Sequence, residues 1–401
     1  MPNNDILVSG GGIAGPVLAY WLSRAGFAVT IVERAPAPRP GGQTVDLRGA
    51  GRTVVARMGL LDQARAIAVE QRGIAAVDKK GRITARLPAD SFGGEGIVSE
   101  IEILRGDLAR LFYEASLPHT EYVFDDTVTG LEQDDDGVNV TFEKSAPRRF
   151  SLVVGADGLH SAVRALAFGP HARHIHPLGL YISWFTAHDE LDLGGWYQMY
   201  NAPGGLVASA RPGRLPGEVK VSFGFRSGPI AYDRRDVAAQ KAIIAGRFAG
   251  AGWETPRLLS AMAGASDFFL ESVGQVRLDR WSRGRVVLLG DAGYCPTPLT
   301  GLGTSLALVG AYVLAGELAA TGDHRVALRN YDRIMRPYVG EAQKLPPGGV
   351  NGFAPSTALA IRMRTASMRA MTRWPMRNLI ASQFAKASSI DLPDYDLPAL
   401  R

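Results

Sequence analysis

The chain opens with short apolar runs separated by a glycine-rich turn. Residues 6–8 form a run that predicts a short buried strand, and residues 10–15 contain four glycines that predict a tight turn. A helix is predicted over 16–25, ended by Gly26, and a second strand over 28–33. A strand, turn, helix and strand within about 30 residues begin a parallel, doubly wound sheet. The pattern therefore predicts an α/β fold.

The next hundred residues alternate between loop, helix and strand signals. Residues 35–51 are rich in Pro, Gly and Arg and predict a loop. Helical patterns follow over 52–70 and 104–116, with strand character between them around 72–88. Residues 122–155 alternate as strands do, and the turn Asp-Asp-Asp-Gly at 134–137 separates two of them.

From about 177 to 275 the pattern becomes that of a second sheet, with aromatic residues in alternating runs divided by Gly and Pro turns. Along one strand the apolar residues alternate with polar or small ones: Val219, Val221, Phe223 and Phe225 against Lys220, Ser222, Gly224 and Arg226. An antiparallel sheet with one buried face gives this alternation. We expect it to form the floor of a second lobe.

The last third is predicted to be mainly helical after a buried strand at 286–289. Thr304 to Ala320 is apolar but shorter than the roughly 20 residues that a membrane span needs, so we expect a buried helix. Helices continue to about 343, and after a Pro-Gly loop a final helix is predicted over 355–388. Its arginines indicate a solvated basic face, with attachment to a membrane surface as the alternative: Arg362, Arg364, Arg369, Arg373 and Arg377.

Composition changes this picture little. The 401 residues carry 44 basic and 39 acidic side chains, a formal charge of +5, without the basic stripe and interleaved aromatics of a nucleic-acid-binding protein. The single cysteine, Cys295, allows neither a disulfide nor a thiolate cluster, and His174 and His176 lack carboxylate partners at metal-ligand spacing. We expect no metal, no signal peptide, a cytoplasmic location and a monomer.

The glycine turn carries the first chemical signal. Gly10, Gly12 and Gly15 have the GxGxxG spacing directly after a strand and before a helix. In such a turn the second glycine admits a pyrophosphate, and the free N–H groups of the helix N-terminus face the phosphates. Ala14 lies inside the turn, and Glu33 ends the second strand, where a carboxylate accepts ribose hydroxyls. These residues predict a dinucleotide site.

Two further segments have the form of an apolar strand that ends in a small residue and an aspartate. The first is Val153 to Gly158, with Asp157, and the second is Leu288 to Ala292, with Gly290 and Asp291, continuing to Pro298, Gly301, Leu302 and Gly303. Each alone is a common turn. In this order after the first motif, and at these separations, the three are highly specific.

With these motifs the sequence resembles the flavoprotein aromatic hydroxylases, the FAD monooxygenases of the para-hydroxybenzoate hydroxylase type, over nearly its whole length. Three stretches are similar to the tetracycline-inactivating members of that family: 41–47, 103–108 and 196–199. The resemblance implies a Rossmann-like FAD-binding domain of the glutathione-reductase type with an inserted α+β substrate domain on an antiparallel sheet. It divides the chain into an FAD-binding domain (1–75, 97–176 and 275–344), a substrate domain (76–96 and 177–274) and a C-terminal helical segment (345–401).

The resemblance also implies roles for individual residues. Glu33 and its neighbour Arg34 belong to the end that binds the adenosine ribose, and Arg39 and Arg105 lie along the FAD, with Arg105 near the pyrophosphate. Asp157 and Gly158 belong to the motif that serves both FAD and NADPH, and Asp291 bonds the ribityl chain. Pro298 to Gly303 pass the isoalloxazine ring. Gln198, Lys220 and Ser222 are the candidate substrate contacts, from strand parity together with the resemblance.

The implied reaction uses NADPH, or NADH, to reduce FAD, and O2 to form a flavin C4a-hydroperoxide that hydroxylates an aromatic or polyketide-like molecule. Two departures bear on it: Tyr294 stands where many members have His, and Leu302 stands where many have Gln. A flavoprotein that reduces or dehydrogenates a hydrophobic substrate stays an alternative, as does one that sequesters a ligand without catalysis. The Trp-x-Trp-x-Ile signature of flavin halogenases is missing.

Overall fold

The computed structural model describes residues 4–92, 101–188, 191–371 and 389–397. The strands are, in chain order, β1 (Asp5–Ser9), β2 (Ala28–Glu33), β3 (Thr44–Asp46), β4 (Gly73–Val77), β5 (Ile83–Pro88), β6 (Glu102–Leu104), β7 (Thr120–Phe124), β8 (Val128–Gln133), β9 (Val138–Phe142), β10 (Arg148–Phe150), β11 (Leu152–Gly155), β12 (Ile175–His188), β13 (Trp196–Ala202), β14 (Leu206–Pro212), β15 (Glu218–Arg226), β16 (Phe269–Val276), β17 (Ser282–Arg283) and β18 (Val286–Leu288).

The α-helices are, in the same order, α1 (Ala14–Arg24), α2 (Gly49–Arg57), α3 (Leu61–Ala66), α4 (Arg105–Ser116), α5 (Ala162–Phe168), α6 (Val237–Phe248), α7 (Thr255–Gly264), α8 (Asp291–Tyr294), α9 (Gly303–Thr321), α10 (His324–Ala342), α11 (Gly349–Phe353) and α12 (Ala358–Ala370). Helices and strands mix throughout the chain, so the fold is α/β as predicted.

The first layer is a six-stranded sheet in the order β17-β18-β11-β1-β2-β7, parallel except at β17. Its central strands are buried on both faces, which is why they read as continuous apolar runs. Helices α1, α9 and α10 pack against one face, while α5 and the small antiparallel sheet β10-β9-β8 pack against the other. Because β1, β11 and β18 are neighbours, the three motifs that follow them lie at one edge of the sheet.

The second layer is a seven-stranded sheet in the order β16-β12-β15-β14-β13-β4-β5. It is antiparallel except where β4 pairs in parallel with β13. One face packs against α6 and α7, and the four apolar residues of β15 lie buried there, as predicted. The other face is covered by α11, α12 and Leu299, so it turns toward the segment that follows β18.

Several predicted boundaries move. The predicted loop at 35–51 contains β3 and the start of α2, and the predicted helix at 52–70 is divided into α2 and α3. The second sheet takes in 73–75 and begins again at Ile175, residues assigned above to the first domain. Helices α6 and α7 interrupt the predicted run of strands.

The end of the chain is described in part. Of the final helix predicted over 355–388, α12 covers 358–370, and residues 372–388, with Arg373 and Arg377, lie outside the described residues. Arg362 and Arg369 are exposed, as a solvated face requires, whereas Arg364 is half-buried. Helix α9 is long and apolar enough to cross a membrane, as no other helix in the described ranges is, and most of it lies buried inside this fold.

Candidate active site

The glycine turn lies between the end of β1 and the N-terminus of α1. Gly10 has a φ of +111°, and a Cβ on it would lie 2.5 Å from the carbonyl oxygen of Ala156. A Cβ on Gly15 would lie 2.0 Å from the carbonyl oxygen of Gly10. These two glycines are therefore required by the fold itself, through the turn and the close approach of helix to strand.

Gly12 is different, because the protein leaves room beside it. Among the described residues, a Cβ there would meet the guanidinium of Arg105 alone, at 3.3 Å. No described side chain caps the N-terminus of α1, so its first N–H groups are available to a ligand. Space, free N–H groups and a guanidinium at one point form a cradle for a diphosphate, which fits the pyrophosphate of FAD.

Substituting alanine for Gly12 is therefore expected to weaken FAD binding about tenfold to a hundredfold, since a methyl group in a filled contact costs about 1–3 kcal/mol. The apoprotein should unfold at nearly the same temperature as the wild type. Gly15→Ala is the matched contrast, with lower thermal stability because of its backbone clash. Flavin-fluorescence titration and thermal unfolding of both apoproteins measure this; equal FAD affinity for wild type and Gly12→Ala would contradict the cradle.

Glu33 closes the other side of the turn. Its carboxylate accepts the N–H groups of Gly11 and Ala35, each at 2.8 Å, and lies 3.4 Å from the guanidinium of the exposed Arg39. Each carboxylate oxygen has a second lone pair, so ribose hydroxyls can still donate to it. Arg34 is exposed beside it. The residues predicted for the adenosine end therefore lie together.

Arg105 begins α4, where its backbone N–H bonds the carbonyl of Gln43 at 2.9 Å. Burial, followed by the neighbouring charge of Arg39, lowers the pKa of its guanidinium, while Asp291 and Glu33 oppose the shift. The charge neighbours Glu33 and Asp291 come from two different motifs. Arg105 is thus the cation on which the predicted FAD contacts converge.

Asp157 carries a buried oxygen without a partner in the described part of the chain. Its Oδ2 accepts the N–H of Val163 at 3.2 Å, while Oδ1 has no hydrogen bond. Burial raises the pKa of this carboxyl group. An unpaired buried oxygen costs roughly 1–3 kcal/mol, which a bound ligand's hydroxyl or amide would recover. Gly158 follows with a φ of +79° and keeps the turn tight.

Asp291 begins α8 after Gly290, which has a φ of +62°. Its side chain is exposed, yet burial raises the pKa of its carboxyl group, with the thiol of Cys295 and Arg105 opposing the shift. The carboxyl group is thus open to solvent on one side while the Arg105 guanidinium lies near it, in a recess beside the glycine turn. The carboxylate therefore fits a partly buried hydroxyl ligand such as a ribityl chain.

The segment after α8 contains a residue that the sequence reasoning missed. Thr297 is buried, has a φ of +91° and carries a hydroxyl without a partner among the described residues. A β-branched residue in this region of φ is strained, and such strain is stored at functional sites. Pro298–Thr300 then form a 3₁₀ turn, and Gly301 is left-handed, with a φ of +64°. Residues 297–303, here called the flavin loop, lead into α9, whose N-terminus is capped by no side chain in the described ranges.

The three candidate substrate contacts do not lie together. Ser222 bonds Ser209 at 2.6 Å on the face turned toward the flavin loop. Lys220 shares that face: it pairs with Glu218 at 2.6 Å and donates to Thr186 at 2.8 Å. Gln198 lies in a row with Ala210 and Val221, which face α6 and α7, and its Nε2 donates to a backbone carbonyl at 3.3 Å. The predicted orientation of Gln198 is therefore wrong.

Arg364 on α12 extends to the face of the second sheet that α11 and α12 cover, here called the inner face. Its Nε donates to the carbonyl of Gly352 at 2.8 Å, and a terminal nitrogen lies 3.9 Å from the sulfur of Met199. Burial lowers the pKa of its guanidinium, opposed by the phenol of Tyr197. Within the described residues it has no carboxylate partner, so it adds positive charge to this face.

Tyr294, one of the two departures, belongs to the core. Its hydroxyl lies 2.8 Å from that of Tyr331, which donates to the carbonyl of Leu288 at 3.1 Å. Trp281 packs against its ring. Leu302 is also buried. No cluster of three or more potential metal ligands is found in the described ranges.

Comparisons with known proteins agree with this geometry. The model of the FAD binding domain family matches residues 3–339. A flavin-dependent monooxygenase from an unknown prokaryotic organism is 36% identical over 397 residues, covering 98% of this chain and 100% of the relative. An uncharacterized protein of Mycobacterium tuberculosis is 43% identical over 355 residues, 87% of this chain and 94% of the relative. The crystal structure of tetracycline destructase Tet(55) matches with a TM-score of 0.82 and 34% identity, over 98% of this chain and 100% of that one.

Proposed function

The chain belongs to the FAD-dependent monooxygenases of the aromatic-hydroxylase type, and we propose that it uses NAD(P)H and O2 to add one oxygen atom to an aromatic or polyketide-like small molecule. Arg105, Asp157 and Asp291 come from three separated segments and converge at one sheet edge, in front of the glycine turn. That convergence carries the proposal. The second sheet faces the same edge and supplies the substrate side.

FAD bound at this site would supply the redox chemistry that an oxygen transfer driven by NAD(P)H and O2 requires. The protein holds the FAD and encloses the substrate. The turn at Gly12 and Arg105 hold the pyrophosphate, Glu33 the ribose and Asp291 the ribityl chain. Backbone N–H groups of the flavin loop and the uncapped N-terminus of α9 stabilise negative charge on the ring.

The substrate side is apolar with a few polar groups. Ile182, Met199, Val207 and Phe353 lie on the inner face of the seven-stranded sheet. Such a wall excludes water, which protects a reactive oxygen species from premature breakdown. Arg364 on this face favours an anionic oxygen, as in a phenolate, an enolate or a carboxylate. Lys220 and Ser222 stay predictions as substrate contacts.

The test begins with an absorbance spectrum of the purified protein, which should show flavin bands. NADPH and NADH oxidation and O2 uptake are then measured with and without a panel of small phenols and tetracycline-type compounds. A monooxygenase is expected to oxidise the nicotinamide faster with substrate, consume O2 and release a product heavier by one oxygen atom.

The two alternatives give different results in the same assay. A reductase forms a product heavier by hydrogen and works without O2. A sequestering flavoprotein binds a ligand and leaves NAD(P)H oxidation unchanged. The preference for NADPH over NADH, the monomeric state and the cytoplasmic location are further proposals; paired nicotinamide kinetics, gel filtration and cell fractionation test them.

A further inference from the structure

Four charged side chains are buried together between the flavin loop and the second sheet. The guanidinium of Arg48 lies 2.7 Å from Asp46, with side chains 3% and 17% exposed. The guanidinium of Arg211 lies 2.8 Å from Glu102, with side chains 15% and 5% exposed. Asp46 and Glu102 are cross-strand partners in the two-stranded sheet β3-β6. We call these four residues the charge quartet.

The two carboxyl groups of the quartet belong to directly opposite residues of adjacent strands. Two carboxylates held this close disfavour ionisation of both, so one of them binds its proton more tightly. Burial raises the pKa of Glu102 to about 7, an effect opposed by Arg211 and Arg48 and increased by the charge of Asp46.

One side of the quartet lies against the flavin loop. A Cβ on Gly301 would lie 3.0 Å from Oδ2 of Asp46 and 3.8 Å from the guanidinium of Arg48. The hydroxyl of Ser305, in the first turn of α9, donates to the carbonyl of Arg48 at 3.1 Å. The quartet therefore supports the turn that the family resemblance places beside the isoalloxazine ring.

The other side of the quartet continues into the second sheet. Arg211 lies over the ring of Tyr197, 4.2 Å from its centroid. The Tyr197 hydroxyl lies 3.2 Å from Ser209, which bonds Ser222 at 2.6 Å. Within the described ranges, the charged and titratable groups that face Glu102 are thus Asp46 from β3, Arg48 from the start of α2 and Arg211 from β14, with the Tyr197 phenol of β13 behind Arg211.

We propose that Glu102, held beside Asp46 behind the flavin loop, binds a proton there and, as a positioning residue, couples the redox state of the bound FAD to pH. Reduction adds negative charge to the flavin, and nearby negative charge strengthens a carboxyl group's hold on its proton. Proton uptake by Glu102 should therefore accompany reduction. The proposal rests on the proposed function only in requiring that FAD binds.

The test measures the midpoint potential of FAD in the holoenzyme between pH 5.5 and 8.5, by reduction in the presence of a reference dye. Wild-type protein should show a change of slope near neutral pH, and Glu102→Gln, which keeps the shape but cannot ionise, should lose it. Glu114→Gln is the control, because this exposed glutamate on α4 pairs with Arg110 on the surface and with no other described residue. It should retain the wild-type curve.

Identical curves for wild type and Glu102→Gln would overturn the proposal and leave the quartet a structural ion-pair cluster. If Glu102→Gln binds no FAD, Asp46→Asn replaces it and should move the change of slope to lower pH, because the charge of Asp46 raises the pKa of Glu102; an unmoved curve overturns the proposal. If both amide variants stay folded by circular dichroism but bind no FAD, the acids act in binding and the proposal is also overturned. The measurement needs neither substrate nor O2, so its result stands even if the chain is not a monooxygenase.

Discussion

Asp291→Ala is expected to yield a folded protein that is purified nearly free of FAD. The wild-type carboxylate lines the recess beside Arg105, where it can accept hydrogen bonds from a ligand. A hydrogen bond to a charged group contributes roughly 1.5–3 kcal/mol, so its loss weakens binding by about 10- to 150-fold. Flavin-fluorescence titration of the apoprotein gives the affinity, and the visible absorbance of the purified protein gives the occupancy.

The fold should tolerate this change, and the sign of the pKa shift explains why. Burial raises the pKa of Asp291 above its value in the unfolded chain, so the folded state binds the proton more tightly. Stability is then greatest below the unfolded pKa and falls as pH rises toward the folded pKa. At neutral pH the ionised carboxylate lowers the stability of the apoprotein, and alanine removes that cost.

Asp136→Ala is a suitable control for Asp291→Ala. Asp136 is exposed in the turn between β8 and β9, and in the described part of the chain its side chain forms no ion pair. The neighbouring Asp135 carbonyl accepts the side chain of Arg285, which directly precedes β18, so this turn lies at the end of the strand opposite to the three motifs. It should purify with the wild-type amount of flavin. An Asp291→Ala protein that is fully yellow and binds FAD as tightly as the control would remove Asp291 from the site.

The sequence was sufficient for the first layer of the fold because its signals are local. The glycine turn, the apolar run of β1 and the strand ending at Glu33 all lie within about 30 residues, and the structure has them within two residues of the predicted bounds. The strand order of the second sheet was harder to predict, because alternation of apolar and polar residues indicates a strand but not its partner. Strand β4 joins β13 in parallel across more than a hundred residues, and no local pattern indicates that partner.

The errors at the site have the same physical origin. Alternation within a strand correctly placed Lys220 and Ser222 on one face. Gln198 lies on another strand, and only the register between the strands decides which face it shares. Thr297 carries no sequence signal, because a positive φ at threonine is imposed by its surroundings. Glu102 does have a sequence signal, because a glutamate in a buried apolar strand is a local conflict of the kind found at functional or strained sites.

Gly310→Ala, in α9, is expected to lower the free energy of unfolding by about 2–3 kcal/mol. A Cβ at this position would lie 2.2 Å from the Tyr294 hydroxyl and 2.9 Å from a methyl group of Leu289. The tyrosine cannot swing away, since its ring is buried against Trp281 and its hydroxyl is held by Tyr331. Chemical denaturation of the apoproteins measures the effect.

Tyr294→Phe provides the matched rescue, because it removes only the clashing oxygen. Alone it should cost about 1 kcal/mol for one hydrogen bond, and Tyr331 keeps its bond to the Leu288 carbonyl. With the oxygen gone, the next atom of residue 294 lies 3.4 Å from the new Cβ, an ordinary contact, and alanine gains about 1 kcal/mol over glycine in a helix. The double variant should thus be more stable than Gly310→Ala alone. If the double variant loses the sum of the two single losses in free energy of unfolding, Leu289 and not Tyr294 requires glycine at position 310. If it is more stable than Gly310→Ala, Tyr294 and Gly310 are matched in packing, which is independent of the flavin chemistry.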